Sequence, residues 1–228
     1  MRKALIPVII LTFLTVLEVK SQTSYQSGLM PVLNFNKSIS ERWKINTKIE
    51  NHIWIQEAAD AFYKNNQLSH RRTEMHFSGT HKLTFKSSVS GGYMMRLHEE
   101  KTYHRLFQRF STVTQLKSFV LSHRIGLDQT FKPGKSTEYR LRYRFSNALP
   151  LNGTKIDAKE GYVKLSNEYL GALEDDQTSL EIRIKAAYGY ELNQSQKAEA
   201  GIDYRFGDVG SSNPSQNMWF YLGYYVKL

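Results

Sequence analysis

The residues with most chemical potential are cations set at every second position. Arg140, Arg142 and Arg144 fall on one side of a run whose other side is Tyr139, Leu141, Tyr143 and Phe145. The same spacing places Arg105, Arg109, Arg124, Lys164, Arg183, Lys185 and Arg205 on the polar sides of other runs. Asp128, Glu168, Glu181, Glu199 and Asp203 share those polar sides. Gathered on one surface, these groups could do two things. They could form a filled network in which guanidinium forks join carboxylates. Alternatively, an excess of cation could attract phosphates, sugar acids or other small anions. Cations outnumber acids ten to five in this set, and an uncompensated buried charge is costly.

Other chemistry is weaker. Glu174, Asp175 and Asp176, or His98 with Glu99 and Glu100, could supply paired acids for hydrolysis, and His123 follows Ser122. No spacing among them is diagnostic, because an acid–base pair is recognised by geometry. The chain has no cysteine, which excludes disulfides, thiolate metal sites and a thiol nucleophile. His70 and His76 share a face by parity, but six residues of strand separate them by roughly 20 Å, too far to bind one ion. No phosphate loop or EF-hand pattern occurs, so neither a metal nor a cofactor is expected. Gly91, Gly92 and Gly126 are expected to mark bulges or curvature.

The elements that must position these residues are strands. Leu180, Ile182, Ile184, Ala186, Tyr188 and Tyr190 alternate with Glu181, Arg183 and Lys185, and Ala198, Ala200, Ile202, Tyr204 and Phe206 with Glu199, Asp203 and Arg205. Residues 83–97 repeat the pattern, as do 43–55, 68–80, 103–116, 119–131, 161–171 and 217–228. Most runs exceed the about 5–6 residues of an ordinary strand and suit the about 9–11 of a tilted membrane-spanning one. Trp43, Trp54, Tyr103, Tyr139, Tyr190 and Trp219 lie towards run ends, as interfacial girdles require. In lipid every backbone polar group must be paired, so many long amphipathic strands imply a closed barrel. The expectation is an all-β, antiparallel, up-and-down transmembrane barrel of about ten strands, with twelve as the alternative. Residues 24–35 would be an eleventh run, which antiparallel closure cannot accept, so either they lie in the lumen or the count is off by one. Turns at 36–42, 80–82, 116–118 and 192–196 read as short and periplasmic. Those at 56–67, 98–102, 132–137, 171–178 and 207–216 read as longer and external, while 150–160 breaks the alternation.

Residues 1–21 read as a secretory signal. Arg2 and Lys3 precede an apolar stretch from Ala4 to Leu17, and Val19 and Ser21 suit cleavage before Gln22. Its removal takes away three cations and one carboxylate, leaving +8 of the +10 net charge on a 22–228 barrel domain. Mean hydropathy of −0.50 excludes a polytopic helical membrane protein.

The ordered stretches YHRLFQRF (103–110), LSHRIGLDQTF (121–131), YRLRYRFSNALPLNG (139–153) and YVKLSNEYLG (162–171) are also informative. Together they resemble domain of unknown function 2490, a family of Bacteroidota outer-membrane barrels. The resemblance covers most of the chain beyond the leader and implies a fold and a compartment, but no activity. The chain departs from the usual aromatic ending of exported barrels, closing on Leu228 after Val226. The expected location is a Gram-negative outer membrane. Expected partners are its lipid and lipopolysaccharide, the barrel-assembly machinery during insertion, and a small anionic solute. Nucleic acid is not expected, because the basic residues are spread over alternate positions of an exported chain. A non-enzymatic structural or porin-like role, with passage of small anions, stands first. A barrel hydrolase with an acid or His site at its rim, or a module binding partners through loops 56–67 and 207–216, stand as alternatives.

Overall fold

The computed structural model describes residues 24–58, 68–116 and 119–228; the leader expected at 1–21 lies outside them. Eleven strands form: β1 (Ser24–Ser38), β2 (Trp43–Ala58), β3 (Ser69–Lys82), β4 (Ser87–His98), β5 (Lys101–Gln115), β6 (Val120–Phe131), β7 (Glu138–Pro150), β8 (Gly161–Glu174), β9 (Gln177–Glu191), β10 (Gln196–Gly207) and β11 (Ser215–Lys227). Each pairs with its sequence neighbours, and β1 meets β11, so the sheet closes into one barrel.

Alternation decides which side chains point inward. In β5, Arg105 and Phe107 are buried while Leu106 and Gln108 are exposed. In β7, Leu141, Tyr143 and Phe145 face outward, where they are 63%, 38% and 39% exposed. The outer wall therefore presents large apolar groups all round, including Leu33, Ile45, Leu106, Ile125, Leu165, Ile184, Ile202 and Leu222. The inner wall is mostly polar, with Met30, Val32, Trp54, Phe107 and Trp219 buried among the polar groups.

Five expectations are corrected. First, residues 24–35 are wall, not plug. β1 runs antiparallel to β2 but parallel to β11, in register from Ser24↔Ser215 to Asn36↔Lys227. The parity rule holds only if every pair is antiparallel, and one parallel seam closes an odd count. Pro31, lacking an N–H, lies where the ladder to β2 skips from Leu29↔Ile53 to Val32↔Glu50.

Second, short and long connections do not alternate as expected. The β4–β5 and β8–β9 links are the two-residue turns Glu99–Glu100 and Asp175–Asp176. Positive φ values of 48° and 62° at Asp175 and Asp176 give the twist a tight hairpin needs. Leu83 and Phe85 belong to a turn rather than to β4.

Third, Trp54 and Trp219 are not girdle residues. They point inward, 7% and 2% exposed, and stack with ring centroids 4.4 Å apart. Tyr103 also has inward parity, facing Arg96 across the β4–β5 ladder. Trp43 is 52% exposed and packs against His81 on the outside.

Fourth, Gly91, Gly92 and Gly126 are not bulges, since their ladders run without a register shift. Gly92 is required by close approach: a Cβ there would lie 2.4 Å from Phe107 Cζ. Fifth, His70 and His76 do not share a face. The β2–β3 register shifts at His52/Ile53, so His70 pairs with outward Ile53 while Arg72 pairs with inward His52.

Candidate functional site: the basic lumen

The lumen has two halves. The upper half lies towards the β4–β5, β6–β7, β8–β9 and β10–β11 turns. The lower half lies towards the β7–β8 and β9–β10 connections and the C-terminus.

Ion pairs and aromatic packing close the upper half. Glu74 accepts from Arg96 at 2.9 Å and forms an ion pair with Arg72 at 3.0 Å. Arg142 bridges Asp128 and Glu168, at 2.9 Å each. Arg140 pairs with Glu138, Arg183 with Glu181, and Arg205 with Asp203 at 2.9 Å. Arg105 donates to Thr130 at 2.8 Å. Met30, Val32, Trp54, Trp219 and Tyr221, from β1, β2 and β11, form an apolar cluster beside them. Above Arg140, Glu138, Glu174 and Glu181 line a depression of about 830 Å³ at the upper mouth.

The lower half is an open, basic cavity. A space of about 350 Å³ reaches up to Arg72, Glu74, Arg142 and Arg205, and its lower part is bordered by Lys48, Arg109, Arg124, Arg144, Lys164 and Lys185, with Asn34, Asn46, Ser78, Ser146 and Ser166 between them. Arg144 and Lys164 keep 35% and 34% of their side-chain surface exposed, against 12% for Arg142 and 10% for Arg205. That gradient shows the cavity wetter towards the lower end.

Its carboxylates are already engaged. Glu168, 2% exposed, faces four guanidinium groups: Arg142 at 2.9 Å, Arg144 at 3.1 Å, Arg124 at 3.7 Å and Arg183 at 3.8 Å. Glu199 accepts from Lys164 at 3.0 Å and from the hydroxyls of Tyr162, Tyr225 and Tyr221 at 2.8, 3.1 and 3.2 Å.

Among the described residues that border the cavity, three cations have no carboxylate within ion-pair distance: Arg105, which donates to Thr130, and Arg109 and Lys185, which face aromatic rings. Arg109 lies 4.0 Å from the centroid of the Phe107 ring, and Lys185 lies 2.9 Å from that of Tyr221. The sequence builds the Arg109 position in steps. Gly92 leaves room for the Phe107 ring, the ring faces the guanidinium, and Gly126 admits the stem, since a Cβ there would sit 3.3 Å from Arg109 Cγ.

Of the ten cations singled out from sequence, Arg105, Arg109, Arg124, Arg142, Arg144, Lys164, Arg183, Lys185 and Arg205 border the one central cavity. Arg140 sits higher, at the upper mouth. Asp128, Glu168, Glu199 and Asp203 are buried among them, and Glu181 lines the upper mouth. Sequence reasoning missed the polar face of β2 and β3: Lys48, Glu50, His52, Arg72, Glu74 and His76. Their alternation is legible, but Asn51 and Thr73 on the outer face blur it and the bulge reverses parity at Arg71. Three of these, Glu50, His52 and Glu74, bring ligand atoms within 4.8 Å of one another. Lys48 at 2.7 Å from Glu50, and Arg72 and Arg96 on Glu74, already neutralise both carboxylates and oppose a metal ion there.

The residues weighed for hydrolysis do not assemble. Glu174 pairs with Lys132, His98 packs edge-on against Tyr103, and His123 bonds the Tyr143 hydroxyl at 2.8 Å on the outer face. Loop 56–67 falls largely outside the described residues.

A closed all-β barrel with a polar, predominantly basic interior is thus the class that fold and lumen define. The chain matches the family described as protein of unknown function (DUF2490) over residues 31–216, and it belongs to that family. No curated protein and no solved structure matches it.

Proposed function

We propose that the protein is an outer-membrane barrel, exported with a cleaved leader, whose basic lumen admits small anionic solutes. Membrane placement is supported by the outward belt of large apolar side chains, far beyond what a soluble monomer leaves in water. Backbone pairing around the whole circumference suits a lipid environment, which has no water to satisfy an open edge. Lipid and lipopolysaccharide would contact the belt, and the barrel-assembly machinery would insert the chain. With the C-terminus on the periplasmic side, the basic cavity opens to the periplasm.

The observation that carries the anion reading is the pair Arg109 and Lys185, which border one cavity with no carboxylate partner among the described residues. A low-dielectric wall around surplus cations raises the local concentration of anions. In this reading the lumen selects by charge and performs no catalysis. The upper ion-paired layer sets how freely a solute crosses.

The test is single-channel recording on the protein purified from outer membranes, with folding checked by heat-modifiable gel mobility. Anion-selective current, reduced in Arg109→Gln, is expected. Cation-selective current, or silence from a folded barrel at all voltages, overturns passage.

A further inference from the structure

Resting on the anion reading just given, we infer that the lower lumen holds a specific site for a phosphoryl group, built by Arg109, Arg124 and Arg144 from the adjacent strands β5, β6 and β7. The starting observation is an arrangement that opposes folding by itself. Arg124 and Arg144 are direct cross-strand partners, and like charges in that position repel. They have one carboxylate between them, Glu168, which Arg142 also occupies at 2.9 Å. Arg142 has a second acid in Asp128, and Arg183 has one in Glu181. Arg124 and Arg144 have no second acid, and Arg109 has none at all among the described residues.

Three guanidinium groups around less than one free carboxylate leave a surplus of about two charges facing a cavity. Hydrogen-bonding capacity is in surplus too: Arg144 Nε is buried without an acceptor. A planar monocarboxylate brings one charge and two coplanar oxygens, and Glu168 already fills that role. A phosphoryl group brings close to two charges and three acceptor oxygens pointing in different directions. Guanidinium forks pair with such oxygens two at a time. The about 350 Å³ of space is ample for phosphate and falls within the range of small-molecule sites. Lys164 and Lys185 on β8 and β9 extend the basic wall, so a larger phosphate ester could continue along it.

The phosphoryl group could belong to a free phosphate, a phosphate ester or a lipid headgroup, and the test separates them. The full chain is expressed with its leader, purified from membranes in an uncharged detergent, and heated while tryptophan fluorescence is followed. Chloride, inorganic phosphate, glycerol 3-phosphate and micelles doped with phosphatidic acid are compared at matched ionic strength. A saturable rise in unfolding midpoint with inorganic phosphate, at concentrations where chloride has no effect, is expected. Arg109→Gln removes no ion pair, so it should fold, and its phosphate affinity should fall at least tenfold; Arg144→Gln should lose the response.

A response to glycerol 3-phosphate stronger than to phosphate assigns the site to an ester. A response only to phosphatidic acid that Arg109→Gln abolishes assigns it to a lipid headgroup entering from below. Either supports the phosphoryl class. Equal effects of phosphate and chloride, or a phosphate response unchanged in Arg109→Gln, overturn it. Anion-selective current without phosphate preference would sink this inference alone, whereas loss of both response and current would sink the broader reading as well.

Discussion

The upper and lower halves of the lumen use the same residue types to opposite ends. Above, Arg72, Arg96, Arg140, Arg142, Arg183 and Arg205 each pair with a carboxylate, and Arg105 alone among the upper arginines relies on a hydroxyl, beside two stacked tryptophans. Below, Arg109 and Lys185 rest on aromatic rings, and Arg124 and Arg144 share an acid that belongs as much to the upper layer. Pairing neutralises and fills, whereas ring contacts hold a cation in place while leaving its charge available. The stoichiometry of acids to bases, more than the number of bases, separates a plug from a vestibule.

Glu168 is where the two halves meet, so removing its charge should have the largest effect. Glu168→Gln leaves Arg142 and Arg183 one acid each and Arg124 and Arg144 none. Breaking a buried pair in this way costs roughly 3–5 kcal/mol. Urea unfolding in detergent should show the loss, and an unchanged midpoint would mean that Glu168 does not organise the network.

Trp219→Ala tests the apolar part of the plug. It should lower stability by about 3 kcal/mol and, by opening the layer beside Arg205, raise single-channel conductance. A loss of stability with unaltered conductance would move the constriction elsewhere. Gly92→Ala, by driving a methyl group against Phe107 and the Phe77 carbonyl, should cost about 1–3 kcal/mol. It should also weaken anion selectivity, because Phe107 positions Arg109. Selectivity kept at wild-type level would separate that ring from the site.

The smallest effect is expected from Lys185→Gln. No ion pair is lost, so stability should stay within about 0.5 kcal/mol of wild type or rise slightly. A large destabilisation would show that Lys185 belongs to the structural network rather than to the open cavity.

Much of this arrangement is legible one strand at a time. Arg140, Arg142 and Arg144 point inward because strand side chains alternate, and no tertiary knowledge is needed to put Tyr139, Leu141 and Tyr143 on the other face. Local pattern fails where backbone or closure intervenes. The shift opposite His52 turns His70 outward and leaves Arg72 inward, and single-residue spacing cannot signal it. Trp54 and Trp219 look like girdle residues by position, yet Gly28 opposite leaves the space into which their rings turn: a Cβ there would lie 2.7 Å from Trp219.

Alternation over many long runs, by itself, determined a barrel wall and the two sets of side chains that line and coat it, because strand geometry is a local property of the chain. Tertiary structure alone decided that an eleventh strand closes the wall in parallel, and which acid meets which base. Those outcomes depend on register between strands far apart in sequence. Glu168 and Arg124 lie 44 residues apart in the chain, and only the closed sheet leaves one carboxylate facing four guanidinium groups while Arg109 and Lys185 face aromatic rings instead.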